Sequence, residues 1–307
     1  MSNPADNPAT RPEQRIYRKA FMTIKPQFVL ALSCPDRPGI VHRVSGFLID
    51  QSANILEAAQ FNDEGSGRFF MRVQFECGEV GLSAETLTER FESTAQSLSM
   101  QANFFALAIR VRTLLMVSKQ GHCLNDLLFR HKSGQLPIDI PAIVSNHADY
   151  YQLAASYNIP FFHLPVTADT KPQQEAKICE IIAEKQIDLV VLARYMQVLS
   201  PELCAHLAGR AINIHHSFLP SFKGARPYFQ AYDRGVKLIG ATAHYVTTDL
   251  DEGPIIEQDV ARVNHSMSAA ALTVAGSDLE CTALARAVKW HAQHRVLLNG
   301  NRTVIFS

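Results

Sequence analysis

The chain has 307 residues, of which 47% are hydrophobic, so it can bury a sizeable core and divides more naturally into two domains than one. Its 29 Lys and Arg residues balance 29 Asp and Glu residues, and the lack of a basic surplus argues against nucleic acid as a partner. Six cysteines without a CxxC pair indicate free thiols in a reducing cytoplasm, and no apolar run reaches membrane-spanning length.

The first 25 residues are polar and rich in Pro and Asn, which predicts a flexible extension over 1–25. They lack the apolar core of a secretory signal, so we expect a cytoplasmic protein that does not engage a membrane. Met22 is an alternative to Met1 as the translation start.

The pattern of residues 26–108 predicts a small first domain. Its elements are, in chain order, a strand at 27–34, a helix at 38–51, strands at 54–61 and 68–76, a helix at 83–98 and a strand at 101–107. Pro38 falls in the first turn of the first helix. In the third strand, Phe69 and Met71 alternate with polar residues such as Arg72, which predicts one buried and one exposed face. The order βαββαβ is the split ferredoxin-like arrangement.

The segment "SCPDRPGIVHRVSGFL", within this order of elements, resembles an ACT domain over about residues 27–107. The resemblance implies side-by-side pairing, and hence a homo-oligomer, together with an amino-acid effector at the first strand-to-helix turn. That turn consists of Asp36, Arg37, Pro38 and Gly39. Glycine permits close backbone approach, and free N–H groups at a helix start suit a carboxylate. The alternative is that Pro38 and Gly39 only turn the chain.

From residue 109 onwards, buried strands alternate with amphipathic helices. Strands are predicted at 111–118, 138–146, 160–166, 187–195, 211–215, 239–246 and 254–263. Helices are predicted at 122–134, 150–158, 171–186, 200–210 and 267–293, and a hairpin around Asn299-Gly300 closes the chain. This rhythm predicts a Rossmann-like α/β domain over 109–307, with a mostly parallel sheet covered by helices on both faces.

Polar residues cluster where the strand at 211–215 ends. Asn213 and His215 lie two residues apart on it, and ligands of such sheets bind beyond the carboxyl ends of the strands. An amide N–H can stabilise a developing oxyanion, and an imidazole can donate or shuttle a proton near neutral pH. A carboxylate can orient the imidazole. Asp251, in a later acidic turn, is the first candidate for that role and Asp249 is its rival.

The same histidines allow other interpretations. Histidines at strand ends are often structural. His215 and His216 are adjacent on a strand and are expected to point to opposite faces, and the chain has no HxH or HExxH pattern, so no metal site is predicted. Ser217 stands outside a GxSxG elbow and is not expected to act as a nucleophile.

The segment "NIHHSFLPSFKGARPY", which begins at Asn213 and is followed by Asp251 in "LDEGPII", resembles the formyltransferase superfamily that uses 10-formyltetrahydrofolate. The resemblance covers about residues 110–307. It implies that Asn213 and His215 polarise the formyl oxygen and that Asp251 completes the site. "LARYMQVLS" is similar to the segment that cradles the folate, with Gln197 where many relatives carry Arg. Folate contacts are implied for Leu192, Met196, Gln197, Val198, Leu199, Val246, Thr247 and Asp249.

The segment after the first strand of the second domain bears on the choice between transfer and hydrolysis. By resemblance, relatives that formylate glycinamide ribonucleotide carry a glycine-rich phosphate loop there, whereas this chain reads "VSKQGHCLNDLL", with Gly121 and a bulky His122. Relatives that formylate methionyl-tRNA add an RNA-binding domain after the region that corresponds to this chain's hairpin. Water is therefore the expected acceptor. His216 is expected either to place that water or to pack against the loop that follows it, and Gly121 and His122 are further candidates for the water or acceptor side of the site.

An ACT-like domain followed by a formyltransferase-like domain resembles the hydrolytic members of the superfamily, which implies hydrolysis of 10-formyltetrahydrofolate to tetrahydrofolate and formate. Such an activity supplies formate and free folate to one-carbon and purine metabolism, and glycine and methionine are the expected effectors because they lie close to it. Folate is expected to be a substrate, and no cofactor is expected to be tightly bound. The alternatives are a formyltransferase acting on a small amine such as glycinamide ribonucleotide, and a non-catalytic folate or amino-acid sensor.

Overall fold

The computed structural model describes residues 25–79, 81–218 and 227–307, so nearly all of the expected extension at 1–25 lies outside the described residues. The strands are β1 (Gln27–Pro35), β2 (Ala53–Asp63), β3 (Arg68–Cys77), β4 (Gln101–Ala106), β5 (Val111–Val117), β6 (Ile138–Ser145), β7 (Phe161–His163), β8 (Leu189–Leu192), β9 (Ala211–His215), β10 (Leu238–Tyr245), β11 (Ile255–Arg262), β12 (Val296–Asn299) and β13 (Arg302–Ile305). The helices are α1 (Ile40–Asp50), α2 (Ala84–Ser97), α3 (His122–Lys132), α4 (Tyr151–Ser156), α5 (Lys171–Glu184), α6 (Pro201–His206), α7 (Pro227–Asp233) and α8 (Ala269–Ala292).

The first sheet contains four antiparallel strands in the order β2-β3-β1-β4. With α1 and α2 they follow the chain order βαββαβ, as the sequence predicts. Apolar side chains recur at helical spacing on both helices and pack against alternate residues of β1 and β3. The helix residues buried in this way are Ile40, Val44, Leu48, Leu87 and Phe91. Their periodicity therefore places one core between the helices and one face of the sheet.

The first helix begins later than the sequence predicts. α1 starts at Ile40 with Gly39 as its N-cap, so Pro38 lies before the cap and not in the first helical turn. Gly39 has a φ of 92°, in the left-handed region that glycine adopts without steric cost. The backbone therefore turns at this glycine before the helix can begin.

The sequence predicts an exposed face for β3, and this prediction is wrong because the C-terminal hairpin β12–β13 covers that face. Phe70 is fully buried and packs against Val304 and Phe306. Arg72 is 2% exposed, and its guanidinium donates to the backbone oxygen of Gln293 at 3.1 Å. Alternation along one strand describes that strand's own two faces and carries no information about a distant segment that packs on it.

The second sheet has seven strands in the order β11-β10-β9-β8-β5-β6-β7. Strands β5 to β9 pair in parallel, whereas β10 and β11 run antiparallel at one edge, so the prediction of a mostly parallel sheet is confirmed. Helices α3 and α8 pack on one face, and α5 and α6 on the other. Because β9 lies inside the sheet between β8 and β10, its last residues open onto the carboxyl edge.

Several boundaries in the second domain refine the sequence predictions. β8 ends at Leu192 and not at residue 195, and Arg194 has a left-handed φ of 63°, so the chain turns out of the sheet there. α6 begins as predicted, with the Ser200 hydroxyl accepting from the backbone N–H of Leu203. The predicted hairpin at the end of the chain is present as β12–β13. The sequence did not predict the short helix α7.

The C-terminal hairpin joins the two sheets. The carboxylate of Asp63, at the end of β2, accepts from Asn299 at 2.7 Å and from Arg302 at 2.6 Å. Arg295 donates to both carboxylate oxygens of Glu57 at 2.9 Å. The hairpin and the residue before it therefore bind β2 to the second domain through charge-assisted hydrogen bonds.

Two expectations from composition can be compared with the structure. All six cysteines are free. Among the helices that the structure describes, none combines the length and the apolar character needed to cross a bilayer.

Candidate functional site

A cavity of about 880 Å³ opens at the carboxyl edge of the second sheet. Its walls come from the ends of β8 and β9, from the segment 193–199 that follows β8, and from the acidic turn between β10 and β11. Open α/β sheets bind their ligands at this edge. The cavity is therefore the candidate active site.

Asn213, His215 and Asp251 lie together in this cavity. His215 Nδ1 is 3.1 Å from Oδ2 of Asp251, and Asn213 Nδ2 is 3.4 Å from Oδ1 of the same carboxylate. The Nε2 atom of His215 is buried and has no hydrogen-bond partner within the described part of the chain. Such atoms are rare because their desolvation is not compensated. Nε2 is therefore the atom left to contact a ligand.

Asp251 carries its negative charge at neutral pH. Burial of the carboxyl group opposes ionisation and is the largest single effect, but the hydrogen bond from His215 and the neighbouring His244 side chain together outweigh it and hold the pKa of Asp251 well below its usual 3.8. The ionised carboxylate accepts the Nδ1–H of His215 and thereby fixes the orientation and tautomer of the imidazole.

The turn that carries Asp251 packs closely against the end of β10. Asp251 has a left-handed φ of 58°. A Cβ atom at Gly253 would lie 1.7 Å from the backbone oxygen of Tyr245, so only glycine allows this approach. The backbone N–H of Tyr245 donates to the backbone oxygen of Pro254 at 2.9 Å. These contacts hold the Asp251 carboxylate beside His215.

His244 is a member of the cluster that the sequence analysis missed. It is 2% exposed, and the pairing of β10 with β9 places it opposite Asn213. Its Nδ1 lies 2.9 Å from the backbone oxygen of Tyr245, so we assign Nδ1–H as a donor to that oxygen and Nε2 as the acceptor from Asn213 Nδ2, at 3.3 Å. The signal that could have revealed His244 is strand register, because directly opposed residues of paired strands share a face.

His216 lines the same cavity as His215, and the prediction that the two rings point to opposite faces is wrong. β9 ends at His215, so strand alternation does not extend to His216, and the two ring centroids are 4.9 Å apart. Burial and the neighbouring charges of Arg194 and His215 lower the pKa of His216 to about 4, so this ring is neutral at pH 7. A neutral imidazole has one donor and one acceptor nitrogen and can hold a water molecule.

All the residues predicted to contact the folate line the cavity: Leu192, Met196, Gln197, Val198, Leu199, Val246, Thr247 and Asp249. Met196 and Val198 are 57% and 59% exposed, which gives this wall an apolar surface suited to an aromatic ring. Asp249, the rival of Asp251, lies on the cavity wall, but the carboxylate beside His215 belongs to Asp251. The folate contacts themselves stay predictions.

Gly121 and His122, predicted on the acceptor side, are not among the residues that line this cavity. His122 Nε2 lies 2.7 Å from Oε2 of Glu280, a carboxylate that is only 1% exposed. A Cβ atom at Gly121 would lie 2.2 Å from the ring of Tyr150, so that ring packs directly on the loop backbone. The sequence pattern does not reveal Glu280, because a single acidic residue on a long helix gives no sign that it is buried.

His122, Cys123 and Glu280 form a group whose ligand atoms lie within 4.8 Å of one another, close enough to hold a metal ion. However, both oxygens of Glu280 already have hydrogen-bond partners, namely His122 at 2.7 Å and Tyr228 at 2.8 Å. A hydrogen bond with Cys281 and burial raise the pKa of the Cys123 thiol well above 9.0, whereas metals bind the thiolate. These contacts favour a hydrogen-bonded cluster over a metal centre.

The predicted effector turn, Asp36 to Gly39, lies in the first domain and does not line the cavity described above. The Asp36 carboxylate accepts from the side-chain amide of Asn62 at 2.9 Å. The Asp36 backbone N–H donates to the backbone oxygen of Gly67, also at 2.9 Å. The role of this turn in binding an effector stays a prediction.

Known proteins are similar to this chain over the second domain alone or over most of its length. The formyl transferase family model matches residues 111–288. A formyltetrahydrofolate deformylase of Corynebacterium sp. (strain P-1) is 49% identical over 284 residues, which are 92% of this chain and 99% of that protein. The crystal structure of a formyltetrahydrofolate deformylase from Burkholderia mallei is 55% identical, with a TM-score of 0.87, and covers 92% of this chain and 100% of its own. A phosphoribosylglycinamide formyltransferase from Anaplasma phagocytophilum is 32% identical, with a TM-score of 0.59, and covers 65% of this chain and 96% of its own.

Proposed function

The chain belongs to the formyltetrahydrofolate deformylases of the formyl transferase family, and on this basis we propose that it hydrolyses 10-formyltetrahydrofolate to tetrahydrofolate and formate. The observation in the site that supports this function best is the state of His215. Asp251 holds its Nδ1, and its buried Nε2 has no partner in the described part of the chain. An imidazole held in this way can donate to the oxygen of a formyl group. The products supply one-carbon and purine metabolism.

The folate lies, in this proposal, between the segment 196–199 and the turn 246–251. Both segments line the cavity, and so do Asn213 and His215. Apolar side chains such as Met196 and Val198 contact the ring system, and backbone groups of the two segments supply its polar partners. This arrangement brings the formyl group to His215. Gln197 lines the cavity without a charge, so it offers a hydrogen bond but no ion pair.

Water attacks the formyl carbon, and the formyl oxygen becomes an oxyanion. Protonated Nε2 of His215 and the amide N–H of Asn213 stabilise that oxygen. In the structure Asn213 donates to His244 at 3.3 Å and to Asp251 at 3.4 Å, and bonds this long are readily exchanged for a stronger one to an oxyanion. Each pre-placed donor contributes on the order of 10²-fold or more in rate.

The protons are moved by the same group of side chains. Asp251 orients His215 and takes up the proton that the attacking water loses, and neutral His216 helps to place that water. The C–N10 bond then breaks, and N10 receives a proton from His215, directly or through a water molecule. The tetrahedral intermediate leaves formic acid, which loses one proton to solvent and becomes formate, and tetrahydrofolate departs with the proton on N10. The proton that Asp251 took up then restores the protonated state of His215. The reaction needs no second substrate other than water.

Incubation of the purified protein with 10-formyltetrahydrofolate alone, followed by measurement of formate, tests this function. We expect formate and tetrahydrofolate to be released in equal amounts. His215→Ala should bind the folate within several-fold of wild type and release no formate, because its contact is made mainly in the transition state. His206→Ala, on the exposed surface of α6, is the matched control. Binding without formate release would instead indicate a sensor, and a requirement for an amine would indicate a transferase.

We also propose that glycine or methionine binds at Asp36 to Gly39 and that the first domains pair in a homo-oligomer. The left-handed backbone of Gly39 at the start of α1 supports the first proposal, because it lets a ligand approach the free N–H groups closely. A coupling of ~1–3 kcal/mol between effector and active site would change turnover roughly 5- to 150-fold. Titration of each amino acid against formate release tests the effector, and light scattering tests the pairing. Rates unaffected by every amino acid, or a monomeric mass, would contradict the respective proposal.

No tightly bound cofactor is required in this proposal, because the folate is the substrate and water is the second reactant. The six free thiols support a cytoplasmic location, since disulfides form readily only in oxidising compartments. Cell fractionation with an antibody against the chain tests the location, and the absorbance spectrum of the purified protein tests for a retained chromophore.

A further inference from the structure

Glu280 is a buried carboxylate that the proposed hydrolysis does not use. It lies on α8 and is 1% exposed. Its Oε1 accepts from the Tyr228 hydroxyl at 2.8 Å, and its Oε2 lies 2.7 Å from His122 Nε2 and 3.4 Å from Arg194 Nε. Burial opposes its charge, but the hydrogen bond from His122 and the charge of Arg194 hold the pKa of Glu280 below 4.5. Glu280 is therefore ionised at neutral pH and fully engaged by its neighbours.

This cluster adjoins the active-site cavity through Arg194 and His216. Both residues line the cavity, and Arg194 links it directly to Glu280. The ring of His216 contacts His215, whose Nε2 faces the formyl oxygen in the proposed mechanism. The segment 196–199 and the turn 246–251 form the folate walls. In the proposed mechanism His216 places the attacking water, so the second reactant lies on the side of His216 and Arg194.

Arg194, Glu280 and His122 form a corner beside the cavity, and the loop after β5 packs closely against it. The ring of Tyr150 packs on Gly121, and its hydroxyl donates to the backbone oxygen of Lys119 at 2.7 Å. The side-chain oxygen of Gln120 accepts from Arg194 Nε at 2.9 Å. The Lys119 backbone oxygen and the Gln120 side-chain oxygen are thus bound within the protein. The side chain of His122 is 26% exposed, and its imidazole shares the Oε2 atom of Glu280 with Arg194, which lines the cavity.

We propose that His122 is a specificity-determining residue that keeps water as the acceptor of the formyl group. The proposal rests on the hydrolysis proposed above. The imidazole fills the corner beside Arg194 and hydrogen-bonds to Glu280, so this carboxylate cannot accept from an amino or hydroxyl group of a second substrate. An amine acceptor would have to displace a charge-assisted hydrogen bond of 2.7 Å. Water is small enough to react without such a binding site.

The variant His122→Ala tests the proposal, because it opens the corner and preserves helix propensity at the start of α3. The variant and the wild type are each incubated with 10-formyltetrahydrofolate and glycinamide, a small primary amine. Formate and N-formylglycinamide are measured in the same sample. In the transfer, the amine nitrogen attacks the formyl carbon, the C–N10 bond breaks, and N10 takes up the proton that the amine loses. We expect the ratio of N-formylglycinamide to formate to rise at least about tenfold over wild type.

Three further variants isolate the effect of the imidazole. His122→Gln keeps bulk and an N–H donor for Glu280, so its product ratio should stay at the wild-type value. His42→Ala, on the exposed face of α1, controls for the loss of a histidine elsewhere. His122→Ser opens the corner while offering Glu280 a hydroxyl, and its ratio decides the test if the alanine variant does not fold.

The proposal is overturned if a folded His122→Ala or His122→Ser variant gives the same ratio of N-formylglycinamide to formate as wild type. A loss of formate release of ~10²-fold at unchanged folate affinity would also overturn it, because that pattern belongs to a residue that takes part in the chemistry. A wild-type protein that releases no formate would contradict the proposed hydrolysis itself. The two failures are therefore distinguished by the wild-type measurement made in parallel.

Discussion

At the scale of single residues, the histidines of the site differ in which ring nitrogens are occupied. His215 has Nδ1 held by Asp251 and a buried Nε2 without a partner in the described part of the chain. His244 has both ring nitrogens within hydrogen-bond distance of protein groups, the Tyr245 backbone oxygen and the Asn213 amide. The first arrangement suits contact with the substrate, whereas the second suits positioning of Asn213.

Asp251→Asn should keep the fold, because the change is nearly isosteric, and should lower kcat for formate release ~10²- to 10⁴-fold. The amide lacks the charge that stabilises a protonated His215. Steady-state formate release and circular dichroism measure the two effects. Asp169→Asn, on an exposed loop, is the matched control. Near-normal turnover in Asp251→Asn would move the carboxylate role to Asp249.

His244→Ala should lower kcat by ~10²-fold with little change in KM, because it frees the Asn213 amide to rotate out of position without removing a substrate contact. The split between kcat and KM for formate release is the measurement. His163→Ala, an exposed histidine at the end of β7, provides the comparison. A rise in KM with kcat preserved would show that His244 contacts the folate.

At the scale of elements, the turn between β10 and β11 positions the catalytic carboxylate by close packing. Gly253→Ala would place a Cβ atom 1.7 Å from the Tyr245 backbone oxygen, so the turn must move and carry Asp251 away from His215. We expect a loss of ~10²-fold in kcat, because a displacement of about 1 Å has that effect in active sites. Gly46→Ala, in α1 with open space around it, should leave the rate unchanged. Equal rates for the two variants would mean that the turn tolerates the shift.

At the scale of the whole molecule, the C-terminal hairpin covers the face of the first sheet that lies opposite α1 and α2. Phe70→Ala should lower the free energy of unfolding by ~3–5 kcal/mol, because a large side chain packed against Val304 and Phe306 is removed. Urea unfolding measures the change. Phe61→Ala, at 46% exposure on β2, should cost much less. A similar cost for both would show that the hairpin does not hold Phe70 in solution.

Three histidines make the stability of the whole chain depend on pH. Burial lowers the pKa of His216 and His291 to about 4 and that of His294 to about 3, whereas unfolded histidine titrates near 6.5. Between pH 6.5 and 4 the unfolded chain therefore binds more protons, and stability falls as the pH falls, by ~1.4 kcal/mol per pH unit for each such histidine. Urea unfolding at pH 7, 6 and 5 measures the slope. His294→Gln removes one of these groups, so the change in unfolding free energy should decrease by ~1.4 kcal/mol per pH unit. An unchanged slope would contradict the lowered pKa of His294.

The amino-acid sequence by itself determined most of the elements and their type. Helical periodicity in α1 and α2 and the apolar runs at 114–117 in β5 and 189–192 in β8 identify the buried segments, and the alternation of strands and helices identifies the mostly parallel sheet. The ends of parallel strands mark the ligand edge, so Asn213 and His215 could be placed there. The acidic turn offered Asp251 and Asp249 as candidate carboxylates. The site role of Asp251 and the folate contacts came from resemblance, because separation along the chain says nothing about separation in space.

Only the tertiary structure decided which residues surround the reactive atoms. His244 joins the site through the register of β10 on β9, and Glu280 meets His122 and Arg194 because α8 packs beside α3. The hairpin buries Phe70 and Arg72 on a face of β3 that alternation marks as exposed. His216 turns towards His215 because the strand has ended. Periodicity reports how a segment relates to its own faces, whereas the partner of each side chain depends on how segments distant in sequence pack and pair.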